Sequence, residues 1–314
     1  MEDLTGEYIA DGAVSAVGIL TLPLYIYILF IIRAVRTKHR KNSTFYLILL
    51  VNGVADITSL LTSYFFYMFP RWGWLLEFYI WSDKWVMHIG FFVTWWCAAV
   101  QAQCTLMLGI NRFTVIKCER ITHVWMRAPF TLTILIVPGL FIGATLSFSG
   151  VAYIPSDIGG LVPKLTSELI KRILFGITGF MMMSYSAILI VMYLYIWNVV
   201  RSQRPINRLA ESSQRREAVQ RRREIKLLTM SCLICLAQIL MTCYLVYKTL
   251  SGVDRELRIY TLLSVLYSSL NPYLLFFFSD TIRTHALEVV ARLILPPRIE
   301  PKLVKVKSIS ALTI

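Results

Sequence analysis

Apolar residues run along this chain in seven long blocks, separated by short polar and charged connections. Residues 13–32, 85–111, 128–156, 173–200, 227–247 and 259–279 contain no Asp, Glu, Lys or Arg, and 45–69 contains only Asp56. A helix rises about 1.5 Å per residue, so about 20 residues cross a hydrocarbon core of roughly 30 Å. Every block is long enough. The pattern predicts an all-α membrane protein. A seven-transmembrane helix bundle spans 13–279, preceded by an extracellular N-terminus at 1–12 and followed by a tail at 280–314. An odd number of crossings puts the termini on opposite sides. Residues 280–295 alternate apolar and polar side chains until Pro296 and Pro297. That alternation predicts a short amphipathic C-terminal helix lying along the membrane.

Charge fixes the expected orientation. The chain has 314 residues and a formal net charge of +14, yet only 16% of its residues are charged. Basic residues gather in alternate connections, at 33–41, 112–127, 201–226 and after 279, which together hold 24 of the 32 Lys and Arg. Basic connections face the cytoplasm. The N-terminus is therefore expected outside, the tail inside, and the basic segments against anionic membrane lipids. This distribution excludes a nucleic-acid partner. Glu2, Asp3, Glu7 and Asp11 precede the first block, so it reads as a retained helix rather than a signal peptide.

The six cysteines make no disulfide framework, since five lie within helices and Cys118 in an inner loop. Cys232 and Cys235 form a C-x-x-C in an apolar helix and read as packing. Asn42-Ser43-Thr44 matches a glycosylation acceptor but falls on the inner side. Six of the eight Trp lie between 72 and 96, as an interfacial belt or a ligand route. The second outer loop, about 157–172, contains Gly159, Gly160 and Pro163 and reads as irregular. Asn207–Lys226 lacks Gly and Pro and carries Glu211–Arg215 and Glu217–Arg221 pairs. Such pairs predict a helical basic rod extending the sixth span.

Polar residues recur inside the blocks at helical spacing. Asn52, Asp56, Ser59 and Ser63 share one face of the second helix; Thr94, Gln101, Thr105 and Arg112 share one of the third. Ser231, Cys235, Gln238 and Thr242 do so in the sixth, and Thr261, Ser264, Ser268 and Asn271 in the seventh. Polar groups in hydrocarbon turn inward. Asp56, Gln101 and Asn271 fall at similar depth, which predicts a buried polar cluster beside a bend at Pro272. A structural cluster and a switch holding a cation, water or proton both fit. Arg112, ending the third stripe, should face inward. The outward ends of the stripes, Ser63, Thr94, Gln238, Thr242, Thr261 and Ser264, are neutral, with His88 the nearest ionisable group. They predict a pocket for a small neutral ligand. There is no H-E-x-x-H, Walker loop or G-x-S-x-G, so neither an enzyme nor a metal site or cofactor is expected.

Asn111-Arg112-Phe113 closing the third helix, Asp56 in the second and Asn271-Pro272-Tyr273 in the seventh resemble a rhodopsin-like G-protein-coupled receptor. Leu22-Pro23-Leu24-Tyr25 and the run 271–280 narrow the resemblance to nematode serpentine chemoreceptors, class V of the class G superfamily, over classes G and U. The resemblance implies a chemosensory receptor in the plasma membrane, as of sensory cilia, with a heterotrimeric G protein and a small-molecule ligand as partners. It leaves homo- or hetero-dimerisation open. It implies G-protein coupling through Arg112, flanked by Asn111 and Phe113, with Arg222, Arg223 and Lys226 on the basic loop. It also implies that Asp56 and Asn271 couple the ligand to that end. The chain departs from the pattern in four ways: Asn111 replaces an acidic residue, the outer loop lacks a cysteine, the sixth helix lacks tryptophan and proline, and Leu stands at 275. A ligand-gated channel or transporter on seven helices is the competing class.

Overall fold

A computed structural model describes residues 2–38, 43–117, 128–145, 150–155, 159–202, 211–251 and 257–294. Among the described residues eight long helices form in chain order. They are α1 (Glu2–Lys38), α2 (Ser43–Ser63), α3 (Leu76–Lys117), α4 (Ala128–Thr145), α5 (Glu168–Ser202), α6 (Glu211–Ser251), α7 (Leu257–Phe278) and α8 (Asp280–Ile294). Five described helices contain a segment long and apolar enough to span a membrane: Gly12–Thr37, Thr44–Arg71, Trp85–Thr114, Glu168–Val199 and Thr229–Tyr247. The shorter apolar α4 and the main length of α7 complete a seven-helix membrane bundle. The chain is thus inside-out: Leu20, Phe141, Phe180 and Val191 are exposed because acyl chains, not water, face them.

Helix boundaries differ from the apolar blocks where local chemistry intervenes. α2 continues through a π-helical stretch, Tyr64–Met68, into a last turn at Phe69–Arg71. Pro70 has no N–H to offer the carbonyl four residues back, and a widened turn before it avoids that clash. Pro23, Pro138 and Pro272 all lie within helices, as membrane helices tolerate. Gly139 and Gly143 let α4 approach α3: a Cβ on either would lie 2.7 Å from the Trp96 or Phe92 ring. The basic rod expected ahead of the sixth span is the first part of α6, helical from Glu211.

Two expectations are corrected. The block 128–156 is not one span: α4 ends at Thr145, and Val151–Pro155 is a strand, β1. The loop expected to be irregular contains β2, Leu161–Leu165, paired antiparallel with β1 in the register Val151↔Leu165 to Pro155↔Leu161. Gly159 at φ 85° supplies a left-handed residue that few side chains adopt at the turn. Val151 and Leu165 join the main core, and the Tyr153 ring meets Tyr79 at 5.5 Å and 63°. A side chain at Gly160 would overlap the Arg71 carbonyl, so the hairpin sits directly on the end of α2. Burial pushes the Tyr79 phenol up to about 12 and raises that of Tyr153 as well. Aromatic packing fastens this hairpin in a loop that has no cysteine.

The tryptophans divide likewise. Trp74, Trp81 and Trp85 are exposed, as a belt requires, but Trp95 is buried against Phe175 at 5.1 Å.

Beyond Ser279 the chain turns by 87° into α8. Ser279 caps the new helix, accepting from the Ile282 amide at 3.4 Å, and Asp280 faces the positive end of its dipole. Ile282 and Ala286 are buried, whereas Leu287, Val289 and Val290 are exposed. Tyr27 of α1 donates to the Ala286 carbonyl at 2.8 Å. α8 is therefore the expected amphipathic helix, tied to α1 rather than continuing α7.

A candidate relay between a buried aspartate and a basic helix end

α1 presents one buried face, Thr21, Tyr25, Ile28, Ile32 and Val35, at the 4-3-4-3 spacing of a helix stripe. Tyr25 carries a polar group on that face near Asp56 of α2. The Asp56 carboxylate is fully buried and accepts four hydrogen bonds. Tyr25 donates its hydroxyl to Oδ2. Asn52 donates from one turn earlier at 2.9 Å, Asn271 of α7 at 2.7 Å, and Gln101 of α3 donates to Oδ1 at 2.6 Å. Gln101 also donates to Ser268 of α7 at 3.0 Å, and Thr105 meets the Tyr267 hydroxyl at 3.2 Å.

A carboxylate in hydrocarbon needs such saturation, because an unpaired one costs several kcal/mol or takes up a proton. The expected trio of Asp56, Gln101 and Asn271 does meet, directly above Pro272, which is buried in α7. Membership differs from the four-stripe expectation. The donors come from α1, α2, α3 and α7, and the buried stripe of α6 supplies none of them. Tyr25 is legible as one of two hydroxyls, with Thr21, on an otherwise apolar buried stripe. What the α1 sequence does not reveal is which neighbour that stripe faces.

At the basic end, Arg112 of α3 is half-buried, its guanidinium 4.2 Å from the centroid of the Phe45 ring on α2. A cation over an aromatic face gains about 0.5–2 kcal/mol according to its desolvation. Asn111 is buried, and Phe113 packs on the Leu189–Tyr193–Ile196 cluster of α5, 5.4 Å from Tyr195. Lys226 of α6 reaches both oxygens of Asp280 at 2.9 and 3.0 Å, and Arg283 holds the same carboxylate at 2.6 Å. The side chains of Arg222 and Arg223 lie outside the described residues.

The predicted pocket residues occupy the other half of the bundle. Ser63, Thr94, Gln238, Thr242 and Ser264 are buried and His88 is half-buried; the Thr261 side chain lies outside the described residues. Thr94 and Thr242 spend their hydroxyls on the carbonyls of Gly90 and Gln238, at 2.7 and 2.8 Å. Among the described residues no group of three His, Cys, Asp or Glu could hold a metal.

The family model for the serpentine type 7TM GPCR chemoreceptor Srv matches residues 14–292, from the first turns of the α1 span to the end of α8. The chain belongs to the Srv family. No curated protein matches it. As a member, the Srv chain is a chemoreceptor of the seven-helix GPCR type and a membrane protein. The matched region contains the whole Asp56 cluster and the Lys226–Asp280–Arg283 group.

Proposed function

We propose that this Srv receptor binds a small external molecule in the hairpin half of its bundle and activates a heterotrimeric G protein at its basic end. It stands in the plasma membrane of a sensory cell with its N-terminus outside, as the clustering of Lys and Arg supports. Ser63, His88, Thr94, Gln238, Thr242, Thr261 and Ser264 surround the molecule. Arg112, with Asn111, Phe113, Arg222, Arg223 and Lys226, meets the G protein. The observation that carries this reading is the Asp56 cluster, which joins α1, α2, α3 and α7 at the level of Pro272. A ligand shifts such a bundle only by binding one helix arrangement better than another.

α6 has its own restraint. Asn111 leaves Arg112 without an acidic neighbour in the chain, but Lys226 ties the basic end of α6 to Asp280 at the start of α8. In this reading the tie favours the closed arrangement, and opening α6 breaks it. The pair is partly exposed, so it contributes about 0.2–1 kcal/mol, which corresponds to a shift in population of up to about fivefold.

Receptor reconstituted in nanodiscs with purified G protein tests both statements by basal nucleotide exchange. Asp280→Asn is expected to raise the basal rate by about two- to fivefold. Arg283→Ala, which leaves the Lys226–Asp280 pair in place, is expected to keep the wild-type rate. Unchanged basal exchange in Asp280→Asn contradicts the restraint. No exchange by wild type or variant on any Gα class contradicts coupling itself.

A further inference from the structure

α7 and α8 meet at an elbow of 87°, with Ser279 alone between them. Asp280 stands at the corner, and Lys226 of α6 holds it at 2.9 and 3.0 Å. Such a tie restrains α6 only if Asp280 stays where it is. A 15-residue helix joined through one non-helical residue would otherwise swing with Lys226, and α6 would open with the tie intact.

α1 is what fixes the elbow. On the α7 side, Thr21 spends its own proton on the Val17 carbonyl at 2.6 Å, so its oxygen accepts from the Tyr273 hydroxyl at 3.0 Å. Tyr273 follows Pro272, which has no N–H for the Ser268 carbonyl, so the last turns of α7 are held less firmly by their own helix. On the α8 side, Tyr27 donates to the Ala286 carbonyl at 2.8 Å. Ile282 and Ala286 belong to the same buried core as Ile28, Ile31 and Ile32 of α1, and α8 packs on α1 and α7.

The two grips bracket the corner. Tyr273 stands seven residues before Asp280 and Ala286 six after it, so each arm is held within two helical turns. Six residues separate Thr21 from Tyr27, about 120° around the helix, so α1 meets each arm with a different face.

We propose that α1 is the fixed footing of the restraint on α6. Thr21 and Tyr27 hold the α7–α8 elbow on both sides of Asp280, so α6 opens only by leaving Asp280 and does not carry α8 with it. The footing rests on the Lys226–Asp280 restraint proposed above and assigns positioning residues to it on a helix that α6 does not touch through that pair.

Hydrogen exchange, followed by mass spectrometry on the receptor in nanodiscs without G protein, tests this. One interhelical hydrogen bond in a membrane corresponds to about threefold in an opening equilibrium. Tyr27→Phe and Tyr273→Phe each remove one hydroxyl and keep the ring. Each is expected to speed exchange of the amides at 279–294 about threefold. Thr21→Val reproduces Tyr273→Phe, and the two together match either alone. At 222–230, on the inner end of α6, Tyr27→Phe speeds exchange as Asp280→Asn does. In an Asp280→Asn background Tyr27→Phe adds nothing there, because no tie is left for the footing to hold.

Unchanged exchange at 279–294 in both tyrosine variants overturns the proposal. So does an increase at 222–230 that adds in full to that of Asp280→Asn. A change at 279–294 with none at 222–230 overturns it too, because the grips would then be structural only. Basal nucleotide exchange is measured on the same preparations and scored separately. No response from any Gα class contradicts coupling, while hydrogen exchange still decides the footing. Faster nucleotide exchange in Asp280→Asn with wild-type hydrogen exchange in Tyr27→Phe and Tyr273→Phe keeps the restraint and contradicts the footing.

Discussion

Asp56→Ala is expected to destabilise the receptor by about 2–3 kcal/mol and to abolish ligand-evoked signalling. The carboxylate is the common acceptor for Tyr25, Asn52, Gln101 and Asn271. Its removal takes from Tyr25, Asn52 and Asn271 the acceptor they share, while Gln101 keeps Ser268. Interhelical hydrogen bonds in membranes average about 0.6 kcal/mol and reach about 1.7, so the three from Tyr25, Gln101 and Asn271, with the Asn52 bond inside α2, account for the figure. Loss of the Asn271 bond also frees the helix that contains Pro272, where a backbone hydrogen bond is already missing. Thermal unfolding in nanodiscs measures the first effect, and G-protein dissociation in cells at matched surface expression measures the second. Asp56→Asn keeps volume and one acceptor but turns an amide towards donors, and is expected to fall between Ala and wild type. An Asp56→Ala receptor as stable as wild type would remove the cluster from the account.

Arg112→Ala is expected to lose evoked nucleotide exchange entirely while keeping surface expression near wild type. Arg112 touches the Phe45 ring rather than the Asp56 cluster. Its truncation forfeits, among its contacts, a cation–π interaction of about 1 kcal/mol, and leaves the Asp56 cluster intact. Exchange is a different quantity, because in the proposed mechanism the guanidinium meets the G protein once α6 has moved. Cells expressing wild type and variant, exposed to a panel of neutral volatiles, provide the comparison. A variant that signals as wild type does would refute the role given to Arg112. Loss of expression would show that its contact with α2 is structural instead.

Much of this organisation is legible in the chain. Apolar runs and the basic connections mark the helices, and helical spacing alone brings Asp56, Gln101 and Asn271 to one level. Residue type also marks α8, through Ser279, Asp280 and alternating burial. Other features depend on which helix neighbours which, and periodicity along one helix carries no such information. Tyr25 joins the cluster because α1 packs on α2 and α7, whereas the equally polar stripe of α6 turns towards α5 and the core. The β-hairpin was hidden because Val151–Pro155 continues an apolar run that reads as helix until the chain is seen to turn back on α2. Lys226 reads as one more charge on a basic rod. Its partner, Asp280, lies across the bend between α7 and α8.

In the proposed orientation the chain crosses the membrane an odd number of times, with the Arg112 end facing the cell interior. Distinct epitope tags on the two termini, stained in intact and then in permeabilised cells, test it most directly. The N-terminal tag is expected to stain in intact cells and the C-terminal tag only after permeabilisation. Both tags on one face, or the reverse arrangement, would place Arg112, Lys226 and Asp280 where no G protein reaches them and would contradict the account.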